Sequence, residues 1–142
     1  MAYKIFLDIN ILVDFFDSTR SGHKNAARLF QKLEHGEISG FVSESVLNTL
    51  AYILRKQFTG EELKILLSRL LGFISILKCD NKIYLNSLFL PGNDIEDLVL
   101  YQLALEHKMD FFISSDKKGF RKTNSDLMPV ISTTELLSRL VD

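Results

Sequence analysis

Tyr3-Lys4-Ile5-Phe6-Leu7-Asp8 is a short aromatic and β-branched run that stops on an acid, and a second run of the same kind, Phe111-Phe112-Ile113-Ser114-Ser115-Asp116, stops the same way more than a hundred residues later. Runs this short and this apolar read as strands buried on both faces. Ile38 to Val42 and Phe73 to Leu77 fit the same description, and Val130-Ile131 fits a fifth strand. Helical spacing separates them. Over 22–35, Ala26, Leu29, Phe30 and Leu33 share one face, and Gly36 stands where a C′ glycine belongs. A helix from Glu44 to Lys56 follows the second strand with Ser43 as N-cap. Thr59-Gly60-Glu61-Glu62 has capping-box spacing ahead of an apolar stripe of Leu63, Leu66, Leu67 and Leu70. A short helix runs through Leu85 and Leu88, Gly92-Asn93-Asp94 breaks the chain, and an apolar helix covers Ile95 to His107. After a polar loop over 115–126, Ser132-Thr133-Thr134-Glu135 opens the last helix. Strands alternating with helices predict an α/β fold: a three-layer α/β/α sandwich around a mostly parallel sheet of about five strands.

Composition sets the outer bounds. The 142 residues carry 17 Lys+Arg and 18 Asp+Glu, a net charge of −1, which excludes a strongly basic nucleic-acid footprint. With 46% hydrophobic and 25% charged residues, disorder and coiled coil are excluded as well. No apolar run reaches the roughly 18 to 20 residues that cross a bilayer. Cys79 is the single cysteine, so a disulfide framework or cysteine zinc site is not expected. The expectation is one soluble, cytoplasmic domain over 1–142 with no membrane partner.

The carboxylates form a pattern once the fold is assumed. In a parallel sheet, strand C-termini and the N-termini of the following helices share one edge, where ligands bind. Asp8 ends the first strand, Glu44 opens the helix after the second, Asp94 and Asp97 open the helix before the fourth, and Asp116 follows the fourth directly. Each acid alone has a plain explanation as a helix cap or first-turn acid, which gains about 0.3 to 1 kcal/mol from the helix dipole. Several on one edge do not, because two carboxylates about 5 Å apart repel by roughly 3 kcal/mol at an effective dielectric near 20. A cation relieves that repulsion. Oxygen ligands suit Mg²⁺ or Mn²⁺, and His23, His35 and His107 lack zinc-ligand spacing. Phosphate-loop and serine-elbow motifs are absent.

In this arrangement Asp8-Ile9-Asn10-Ile11-Leu12-Val13-Asp14, Val42-Ser43-Glu44-Ser45-Val46-Leu47-Asn48, Leu50-Ala51-Tyr52-Ile53-Leu54, Asp94-Ile95-Glu96-Asp97 and Ile113-Ser114-Ser115-Asp116, in order over nearly the whole chain, the sequence resembles the PIN-domain nucleases, which include toxins of bacterial toxin–antitoxin pairs. The resemblance implies five parallel strands and a Mg²⁺- or Mn²⁺-dependent endoribonuclease. It places Asp8, Asp97 and Asp116 at metal-ligand and catalytic positions, with Asp94 one helical turn from Asp97 as a further ligand. Asn10 and the hydroxyls of Ser114 and Ser115 match polar positions supporting the site. RNA, an antitoxin protein and a second copy of the chain are the partners it suggests.

Lys117, Lys118, Arg121 and Lys122 follow Asp116 at the rim, and the first three are the expected phosphate contacts. Phe120 either stacks on a base or anchors its loop. Arg20, Lys24, Arg28 and Lys32 recur on the face opposite an apolar stripe and read as solvated. One departure stands out: many relatives carry a Glu in the helix after the second strand where this chain has Asn48-Thr49, and Glu44 lies one turn earlier. That departure keeps a second reading open, a non-catalytic PIN-like module for binding nucleic acid or protein. A receiver- or phosphatase-like pocket is a third, disfavoured because Asp8-Ile9-Asn10 lacks a second Asp.

Overall fold

A computed structural model describes residues 2–120, 123 and 125–140. The first strand, β1 (Lys4–Leu7), has Ile5, Phe6 and Leu7 fully buried, as a short strand covered on both faces must. It leads through α1 (Ile9–Phe16) and α2 (His23–Glu34) into β2 (Ser39–Ser43), then through α3 (Glu44–Leu54) and α4 (Gly60–Leu70) into β3 (Ile74–Leu77). The chain returns through α5 (Asn81–Ser87) and α6 (Ile95–Glu106) to β4 (Phe111–Ile113), and β5 (Val130–Ile131) and α7 (Thr133–Arg139) complete it. The sheet is parallel throughout, in the order β3-β2-β1-β4-β5. The expected mostly parallel sheet is thus wholly parallel.

Strand alternation sorts the side chains to two faces. Phe6 and Phe112 are register partners with rings stacked at 5.1 Å, and Tyr101 of α6 packs on Phe112 at 5.9 Å. On the opposite face, Gly40 lies so close to α2 that a β-carbon there would stand 2.7 Å from a methyl of Leu33. The glycine lets α2 seat directly on the sheet.

Boundaries move slightly from the expectations. The second strand runs one residue later than Ile38–Val42, and α3 stops at Leu54 because the chain turns there, with the Arg55 N–H closing on the Tyr52 carbonyl. Gly36 has φ of 74°, the left-handed conformation that ends α2. Of the expected stripe on α4 only Leu70 is buried; Leu63 and Leu67 are partly covered against the core. The polar loop after β4 holds a short 3₁₀ turn over Lys118–Phe120. Phe120 is buried and packs at 4.6 Å from Phe112, so it anchors the loop rather than offering a ring to a base.

Candidate active site

A switch point falls between β1 and β4, where successive crossovers leave in opposite directions along the sheet. Ligands of open α/β sheets bind at that position, beyond the strand C-termini. Asp8 sits there. Its backbone N–H donates to the Ile113 carbonyl at 3.0 Å and its side chain, 4% exposed, caps α1 by accepting the Ile9 N–H at 2.8 Å. The second carboxylate oxygen accepts the Ser114 hydroxyl at 2.8 Å, and the same hydroxyl oxygen accepts the Asp116 N–H at 3.0 Å. Asn10 joins this web, its Oδ1 accepting the Ser115 N–H at 3.3 Å. Asp116 closes the following turn by accepting the Gly119 N–H at 3.1 Å. A β-carbon on Gly119 would lie 2.7 Å from Asp116 Oδ2, so a side chain there would push the carboxylate aside. Five sequence-selected residues, Asp8, Asn10, Ser114, Ser115 and Asp116, are therefore tied together across two strands.

Asp94 and Asp97 come from the start of α6. Asp94 caps the helix by accepting the Asp97 N–H at 3.1 Å. Asp97 is half-buried, and burial together with the charges of Asp94, Asp8, Asp116 and Glu96 pushes its pKa up to about 6. Asp8 is also held above the usual carboxylate range, mainly by burial, although Ser114 and the Ile9 N–H pull the other way. Glu96 contributes to both shifts. Neither Glu96 nor Gly119 is singled out from the sequence; the Asp-x-x-Gly spacing from Asp116 is the one signal for the latter.

The remaining candidates lie apart. Lys117 points to α7, where its ammonium pairs with Glu135 at 2.8 Å. Lys118 is exposed on the 3₁₀ turn, and Arg121 and Lys122 lie outside the described residues. Glu44, expected on the shared acidic edge, is exposed just beyond the end of β2 and lines a groove beside β3. Asp14, at the end of the opening motif, is engaged by Arg20 Nε at 2.6 Å.

The donor set suits a hard, oxygen-seeking dication: carboxylates that resist sharing one edge, with no nitrogen or sulfur ligand among them. Among the described residues no three His, Cys, Asp or Glu side chains already stand as a cage. Asp8, Asp94 and Asp116 each commit one oxygen to a nearby backbone N–H. Their repulsion is the free energy that a cation would relieve.

A family model described as a PIN domain matches residues 4–118. The chain is 26% identical over 144 residues to Ribonuclease VapC1 of Aquifex aeolicus, across 96% of this chain and 94% of that protein. Its fold is similar to that in the crystal structure of VapBC2 from Rickettsia felis bound to a DNA fragment from their promoter, with a TM-score of 0.62 at 18% identity, covering 91% of this chain and 98% of that one. Mycobacterium tuberculosis VapC20, a toxin that cleaves the sarcin-ricin loop, gives 0.65 at 11% identity over 86% of this chain and 97% of its own.

Proposed function

The chain belongs to the PIN-domain family, whose model spans residues 4–118, and from that premise we propose that it is a Mg²⁺- or Mn²⁺-dependent endoribonuclease acting as the toxin of a toxin–antitoxin pair. The observation that carries the reading is the convergence of Asp8, Asp94, Asp97 and Asp116 on the switch point, where burial first, and the neighbouring carboxylates after it, lift Asp97 to about 6. The resemblance to Ribonuclease VapC1 supports hydrolysis of RNA, and the resemblance to the VapBC2 assembly supports an antitoxin partner.

Asp8, Asp94, Asp97 and Asp116 would hold the cation. Once bound, it supplies positive charge that acidifies a water and offsets the charge growing on the phosphate. The chain's own part is placement. The Ser114 hydroxyl fixes the Asp8 carboxylate and the Asp116 backbone relative to each other. Asn10 braces the Ser115 backbone, and Gly119 sets the Asp116 carboxylate. Asp97, with a pKa about 6, gives up its proton in the neutral range as positive charge arrives. Lys118 and Arg121 are proposed phosphate contacts, and Lys117 becomes one by exchanging Glu135 for RNA.

We place the reaction in the cytoplasm; among the described residues no helix is long and apolar enough to cross a membrane. A homodimer is part of the same reading, supported by exposed Tyr52, Ile53 and Ile65 on α3 and α4. Asn48 and Thr49, standing where many relatives have Glu, favour the alternative of a non-catalytic module.

Incubation of mixed cellular RNA with Mn²⁺ tests the two against each other. Cleavage should vanish with EDTA and fall by at least about a hundredfold in Asp8→Asn, which keeps a capping side chain for α1. Intact RNA with the wild-type protein, or full cleavage by Asp8→Asn, would decide for the module.

A further inference from the structure

The groove beyond β2 plays no part in the site above. It measures about 550 Å³, within the range of small-ligand sites. Ile76 of β3 and Val99 of α6 form apolar walls, Tyr84 of α5 stands at one side with 47% of its surface exposed, and Glu44 and Lys78 reach it from the ends of the sheet. Among the described residues, neither the Glu44 carboxylate nor the Lys78 ammonium has a hydrogen bond or ion pair. A first-turn acid accounts for Glu44 as a helix stabiliser. It does not account for a free carboxylate facing a groove beside an open aromatic ring and a free cation.

The groove is also continuous with the acidic edge. Ser43 pairs with Leu77, and extending the β1–β2 register by two residues sets Asp8 level with Ser43. Neighbouring strands lie about 4.8 Å apart, so the mouth of the groove opens about 5 to 10 Å from Asp8. Leu100, one turn along α6 from Asp97, lines the groove as well. A nucleotide with its phosphate at the acids could set its base here.

The pairing edge of that base is selected by chemistry. An ionised carboxylate only accepts, through two adjacent oxygens. Of the four RNA bases, guanine alone presents two adjacent donors, N1–H and the N2 amino group. Adenine and cytosine pair one amino donor with an acceptor, and uracil sets its N3–H between two carbonyls. We propose that the groove is a guanine-selective base subsite, in which Tyr84 stacks on the base and Glu44 accepts from its pairing edge. The assignment of RNA as ligand rests on the ribonuclease reading; the base selectivity does not.

Cys79, the single cysteine of the chain, is exposed and lines the groove, so its alkylation reports occupancy without turnover. Burial and the nearby Asp80 and Glu106 raise its thiol pKa, so labelling with N-ethylmaleimide is run at about pH 8.5, without metal. 5′-GMP should protect Cys79 about tenfold better than 5′-AMP, 5′-CMP or 5′-UMP. Glu44→Gln should abolish that preference, and Tyr84→Ala should weaken protection by all four. Equal protection by the four nucleotides, no protection at all, or a guanine preference that survives Glu44→Gln would each overturn the subsite. Protection by GMP in a protein that cuts no RNA would sink the nuclease reading and leave the subsite standing. RNA cleavage with Cys79 unprotected would do the reverse.

Discussion

Ser114 Oγ donates to Asp8 Oδ2 at 2.8 Å while accepting the Asp116 N–H at 3.0 Å, so one hydroxyl holds two acids from strands that are neighbours in the sheet. Ser114 is fully buried, and no water can substitute freely for it. Ser114→Ala removes the donor that lowers the Asp8 pKa, and the acid limb of the pH–rate profile should move to higher pH. Stability at neutral pH should fall by about 1 to 3 kcal/mol, the cost of a lost bond to a charged, buried group. Ser114→Thr keeps the hydroxyl and should restore the profile; rate measurements from pH 5 to 9 on both variants check this.

Asp97 makes the second prediction. Its folded pKa of about 6 lies above the model-peptide value of 3.8, so the native state binds the extra proton. The resulting stabilisation is full below about pH 4 and is lost as pH rises through 6. Compared with Asp97→Asn, the metal-free wild type should lose on the order of 1 kcal/mol across that window, a figure reduced for the solvent that reaches this half-buried group. Urea midpoints of the two proteins at pH 4 and pH 7.5 give the difference. Calorimetric titration with Mn²⁺ should show binding in the wild type that weakens below pH 6 and is absent from Asp97→Asn.

Gly119 tests placement without touching a charge. The methyl of Gly119→Ala would meet Asp116 Oδ2 at 2.7 Å, and the carboxylate must swing away. RNA cleavage should fall by about tenfold to a hundredfold, the usual result of an ångström of misplacement, with little change in melting temperature. Partial recovery at raised Mn²⁺ concentration would trace the loss to metal placement, and full activity would show that Asp116 tolerates the shift.

Tyr101 bears on the loop itself. Its hydroxyl donates to the Met128 carbonyl at 2.8 Å and accepts the Ser125 N–H at 3.0 Å, and the ring is 1% exposed. Tyr101→Phe leaves both backbone groups without that partner and should cost about 1 to 3 kcal/mol in urea unfolding. Proteolysis over 115–128 should quicken accordingly.

Much of this was readable from the residues. Asp8 and Asp116 end apolar runs too short to be anything but buried strands, and parallel pairing then brings their ends together. Capping signals at Thr59 and Ser132 correspond to reciprocal bonds with Glu62 and Glu135. What escaped reading depends on distances that spacing does not encode. Lys117 follows Asp116 in sequence, yet the turn that closes on Gly119 leaves it beside α7, within reach of Glu135. Glu44 starts a helix at the sheet edge, but it follows β2, one strand out from the switch point, and lines the groove beside β3. Phe120 sits in a polar loop, and only the packing of Tyr101 and Phe112 turns it inward.

The partners Asp8 and Ser114 are 106 residues apart, and β1 gains its β4 neighbour only after everything between them has been made. During translation the first acid emerges early, with the strand beside it still unwritten. A nascent or truncated chain that stops before Ile113 has one wall of the candidate site and nothing to clamp it. The proposed site therefore cannot form until both strands have left the ribosome, which separates the making of the first acid from any chemistry the four acids perform together.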